Sequence, residues 1–84
     1  MSVISGDASL FAVRRAVEER WCARVRAAKF RFDLAVEQAS QAARGTDFAA
    51  AEMFRSMEQV AREEYLRELQ IFTDIVVRGK LPEE

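Results

Sequence analysis

Glycine occurs at only three positions, 6, 45 and 79, and the single proline is Pro82. The residues that interrupt regular structure therefore stand at the start, the middle and the end of the chain, and two long uninterrupted segments lie between them. Ser5 or Asp7 can accept a backbone N–H as the N-cap of the first segment, and Gly45 can close it in the left-handed conformation. The first helix is expected over about residues 8–44, a length of about 55 Å at 1.5 Å per residue. After a turn at 45–46, Thr46 or Asp47 can cap a second helix over about 47–78. Gly79 is its natural terminator, with Leu81 placed for a closing apolar contact, Pro82 barring continuation and a short tail at 79–84.

The apolar residues repeat with a helical period. Steps of 3.6 from Leu10 meet Val13, Val17, Trp21, Val25, Ala28, Phe32, Ala35, Ala39 and Ala42. The same step from Ala50 meets Phe54, Met57, Ala61, Tyr65, Leu69, Phe72 and Val76. No alternation of period two persists beyond a few residues, so strands are not expected. The fold class is all-α: one domain over residues 1–84, an antiparallel two-helix hairpin.

A turn this short makes residues whose numbers sum to about 91 face each other, placing Phe32 near Gln59 and Val60, Ala28 near Glu63, Trp21 near Gln70 and Val17 near Asp74. Near the turn, Ala35, Ala39, Ala42 and Ala43 would oppose Ala49, Ala50 and Ala51 and allow a close approach. At the far end Leu10, Phe11, Val17 and Trp21 would meet Leu66, Leu69, Ile71, Phe72, Ile75 and Val76, more apolar bulk than one seam covers. Phe30 and Leu34 lie about 200° around the helix from Phe32, and Met53, Val60 and Ile71 widen the second stripe. Stripes of this width fit helices with two or more neighbours, so two hairpins are expected to join as a homodimer in a four-helix bundle.

At 84 residues a lone core offers little beyond the entropy it must offset. One cysteine, Cys22, permits no intrachain disulfide, and the absence of histidine removes the usual anchor of a structural zinc. Oligomerisation remains the expected source of stability. Trp21, Phe30, Leu34, Leu69, Phe72 and Ile75 are the candidates for a partner or self-association interface. The N-terminal segment has no basic region of a secretory signal, and no uncharged run approaches the roughly 18 residues that span a bilayer, so a soluble, cytoplasmic protein is expected.

The run Arg20, Arg24, Arg26, Lys29 and Arg31 contains five cations and no acid, a candidate anion-binding or nucleic-acid-binding strip. The competing explanation is structural. Residues 8–44 hold eight basic and four acidic groups and residues 46–78 four basic and seven acidic, with Glu63, Glu64 and Glu68 opposite the basic run. The pairs Arg14/Glu18, Arg15/Glu19, Lys29/Asp33, Glu58/Arg62 and Glu63/Arg67 sit at i, i+4 on solvated faces. Cys22, near Arg20 and Arg26, could be an activated thiol but reads more simply as a small packing residue beside Trp21.

No histidine is available to activate a hydroxyl or complete a carboxylate di-metal site, and no glycine-rich phosphate loop is present. The expected function is a helical protein-protein interaction module, an adaptor, assembly factor, chaperone or inhibitor without catalysis, cofactor or metal. Nucleic-acid binding through the basic run is the alternative, and a small helical enzyme using only Glu and Arg the second.

Overall fold

In the computed structural model, which describes the backbone of residues 2–80 and the side chains of residues 10–80, the chain forms two helices and, among the described residues, no strand. Helix α1 spans Ser2–Ala43 and helix α2 spans Phe48–Arg78. They pack side by side as a rod with extents of 70 × 19 × 15 Å. The hairpin is thus observed within one chain.

Each helix presents a seam spaced alternately three and four residues apart. On α1 the seam is Glu18, Trp21, Val25, Ala28, Phe32, Ala35, Ala39 and Ala42; on α2 it is Ala51, Phe54, Glu58, Ala61, Tyr65, Glu68, Phe72 and Ile75, all buried or half-buried. The mean repeat is 3.5, the spacing that keeps a seam turned toward one partner helix over many turns. This corrects the α2 stripe drawn with a step of 3.6: Met57 and Val76 stand 48% and 47% exposed, while Glu58, Glu68 and Ile75 take the inward places. A drift of about 20° per heptad between the two periods is enough to exchange these neighbours.

The register also differs from a sum of 91. Arg24 bonds Glu68, Arg31 bonds Glu64, and the Phe32 ring stacks on Tyr65 with centroids 6.0 Å apart, so the sums run from 92 to 97. Cα–Cβ bonds lean toward the N-terminus of their own helix. In an antiparallel pair, α1 side chains therefore lean away from the turn and α2 side chains toward it, so a long α1 side chain meets α2 residues whose Cα lies farther from the turn than its own. Phe32 accordingly meets Tyr65 and Arg62 instead of Gln59 and Val60.

The helix ends show which local signals matter. Asp47 caps α2 with its carboxylate accepting from Ala50 N–H at 3.0 Å. Gly79, at φ 66°, closes it in the left-handed conformation, its N–H donating to Ile75 C=O at 3.0 Å. Gly45 does not behave as expected, since Gly79 is the only described residue with positive φ. Helix α1 instead tightens at its end through Arg44 N–H to Gln41 C=O and Gly45 N–H to Ala42 C=O, and residues 44–47 form the turn. At its other end α1 runs through Ser5, Gly6 and Asp7 without a break, so neither Ser5 nor Asp7 is its N-cap. One interior glycine costs about 1 kcal/mol relative to alanine, too little to stop a long helix. Leu81 and Pro82 lie outside the described residues. Replacing Asp47 by alanine is expected to lower stability by about 1 kcal/mol, read as an earlier urea midpoint at unchanged slope; an unchanged midpoint would remove the cap from the account.

The two helices end unevenly. A Cβ at Gly79 would lie 3.4 Å from the Arg14 guanidinium, so the end of α2 is level with Arg14. Residues 2–13 of α1, about 18 Å of helix at 1.5 Å per residue, extend past it.

Candidate interaction surface

The six candidate interface residues separate into three groups. Trp21 and Ile75 are 3% and 0% exposed within the single chain, so they close the hairpin's own seam and are not on an outer face. The reason is the 3.5 repeat, which turns both positions toward the opposite helix. Phe72 is a half-buried member of the seam, and Leu69 is half-buried at its edge. Phe30 and Leu34 are exposed on the outside of α1. Only the last pair forms open surface.

Around the far half of the seam, aromatic, cationic and acidic groups interlock. The Arg24 guanidinium lies 3.8 Å from the centre of the Trp21 ring and donates to Glu68 Oε1 at 2.9 Å. Trp21 Nε1 and Glu68 Oε2 are buried without a hydrogen-bond partner. Arg31 reaches across to Glu64 at 2.7 Å, and Arg62 lies 5.7 Å from the Phe32 ring centre. Arg24 and Arg31 are 44% and 51% exposed, so these bonds fix register more than they add stability.

The basic run does not form one strip. At 3.5 residues per turn, Arg20, Arg24 and Arg31 fall on one flank of α1 with Val13, Val17, Ala27 and Leu34, whereas Arg26 and Lys29 fall on the other with Cys22, Asp33 and Val36. Lys29 bonds Asp33 at 3.0 Å, and that hydrogen bond and charge hold its ammonium above the ordinary lysine value. Arg14–Glu18 and Arg15–Glu19 close as i, i+4 pairs. Cys22 is a free, half-buried thiol.

The flank shared by Arg31 and Glu64 is the apolar one. Residues Ala50, Met53, Met57, Val60, Glu64, Arg67 and Ile71 follow one another by three and four along that side of α2. Met53, Met57 and Val60, exposed by 53%, 48% and 63%, line with Arg31, Ser56, Ala61 and Glu64 an open groove of about 370 Å³ between the helices. Leu34 lies one turn from Arg31 on the same flank, and Phe30 is its i, i+4 neighbour. Met53 and Val60 are legible in the sequence as a widening of the stripe, whereas Met57, which a step of 3.6 places in the seam, belongs to this groove. The opposite flank carries Leu66 and Val76 on α2 against largely charged residues of α1.

Among the described residues no charged residue is buried, no group of three or more Cys, Asp or Glu side chains is placed to hold a metal ion, and no helix is long and apolar enough to cross a membrane. No protein family model, no curated protein and no solved structure matches this chain.

Proposed function

We propose that the chain is a small helical protein-protein interaction module that works as a homodimer, two hairpins joining through their apolar flanks into a four-helix bundle that then engages another protein as an adaptor, assembly factor, chaperone or inhibitor. The observation that carries this reading is an excess of exposed surface. A folded monomer of this mass, 9.6 kDa, exposes about 5,100 Å² by the usual size scaling. This chain exposes 6659 Å², about 1,550 Å² more than that scaling gives. Two chains hiding that excess would together remove about 3,000 Å², within the range of obligate homodimers. The groove flank supplies the apolar side chains for it, with Leu10, Val13, Leu34, Met53, Met57 and Val60 all more than 45% exposed.

The basic run supports this reading better than nucleic-acid binding, because Arg24 and Arg31 bond Glu68 and Glu64 of the same chain and the five cations divide between two flanks. If folding and association are coupled, the melting temperature rises with protein concentration. A melting temperature that stays constant from micromolar to hundreds of micromolar would count against the homodimer. A shift to lower temperature in moderate salt, with the concentration dependence lost, would instead place charge pairs and not apolar burial at its centre.

A further inference from the structure

We propose that the occupant of the Met53–Met57–Val60 groove is the projecting N-terminal part of α1 from a second copy of this chain, so that the two hairpins lie with their turns at opposite ends and each covers the other's overhang. This rests on the homodimer reading above and adds the arrangement of the two copies. Three observations carry it.

The first is the overhang itself. Residues 2–13 pass beyond the end of α2, so no described part of α2 runs beside them. Leu10, Phe11 and Val13 are 70%, 71% and 54% exposed there. An isolated helical extension of three turns is marginal in water, and an apolar one gains stability only against a surface.

The second is the match in length and phase. The groove from Met53 to Glu64 covers eleven residue steps, about 16 Å at 1.5 Å per residue, and the overhang is about 18 Å long by the same rise. Leu10, Val13 and Val17 follow one another by three and four on the same flank of α1 that borders the groove lower down, so a single continuous face carries both the inserting stripe and the receiving groove. A two-fold axis across the middle of that face brings each stripe onto the other copy's groove, the self-complementary arrangement a closed dimer requires.

The third is the distribution of charge along the face. Arg20, Arg24, Arg31, Glu64 and Arg67 occupy its middle, with the two apolar stretches toward the ends. Arg24 and Arg31 there bond Glu68 and Glu64 within each hairpin. With turns at opposite ends the apolar stretch at the turn of one copy faces the apolar overhang of the other. With turns at the same end both overhangs would project together beyond the α2 ends, leaving only each other to cover Leu10 and Val13.

The test is cross-linking with introduced thiols in the full chain, using Cys22→Ser as background so that no other thiol competes. Leu10→Cys and Met57→Cys proteins are prepared separately, mixed, and oxidised with diamide, with light scattering on each before oxidation. The expected result is dimer mass for each variant and a mixed Leu10→Cys to Met57→Cys product as the main covalent species. A main product of two Met57→Cys chains would mean turns at the same end and would overturn the arrangement. Dimer mass with no cross-link in any combination would also overturn it, while leaving the homodimer standing. Monomer mass for the Cys22→Ser parent at all concentrations would overturn both.

Discussion

Replacing Trp21 by alanine is expected to destabilise the hairpin by about 3–5 kcal/mol, because it empties the largest buried position of α1 and leaves a cavity where the two helices touch. The damage extends beyond packing. Arg24 loses the ring beneath its guanidinium while still bonded to Glu68, so the interhelical pair loses the surface that orients it. In a domain of this size each kcal/mol displaces the melting temperature by about 4–8 °C, so the variant should melt well before the wild type by circular dichroism. Trp21→Phe should cost far less than Trp21→Ala, since it keeps most of the apolar volume and removes an indole N–H that is buried without a partner. Equal losses for the two variants, or a shift for Trp21→Ala under about 5 °C, would show that the seam is not organised around this ring.

Substituting glutamate at both Met57 and Val60 should act in the opposite way, leaving the hairpin and removing the assembly. Both side chains are about half exposed or more in the single chain, so charge there stays solvated and the fold should change by no more than about 0.5 kcal/mol. In a four-helix bundle the same carboxylates would be enclosed without partners, at a cost of several kcal/mol. A loss of 3 kcal/mol or more corresponds to a dissociation constant raised by about a hundredfold or more. Sedimentation at tens of micromolar should then show monomer with the helical spectrum intact. A variant that sediments as the wild type does would place self-association elsewhere on the molecule.

Signals that act through a single residue are the ones the amino-acid sequence displays directly. Asp47 and Gly79 were legible because a cap acts through its own side chain or its own φ, and both occupy the roles their types suggest. The α1 stripe from Trp21 to Ala42 was legible because its alanines and aromatics recur so regularly that either period finds them. The α2 stripe was not. There Met57 stands beside Glu58 and Leu69 beside Glu68, and only the partner helix decides that the acids turn inward, where Glu68 meets Arg24. The same holds for Trp21 and Ile75, whose apolar character reads identically at an outer interface and in an intrachain seam. Gly45 does not take the left-handed ending its type suggests, because a glycine permits that ending without requiring it and the capping aspartate two residues later already sets where the next helix begins. The groove of Met53, Met57 and Val60 emerges only when both helices are in place, since Arg31 and Glu64 form its charged edge from opposite sides of the seam.

The most direct test of the homodimer is the mass of the purified chain in solution, measured by multi-angle light scattering over micromolar concentrations at low and moderate salt. Twice the 9.6 kDa of the single chain is expected at both salt levels, because apolar burial and not surface charge holds the copies together. A fully helical, stably folded particle of 9.6 kDa that stays monomeric over the whole range would contradict it.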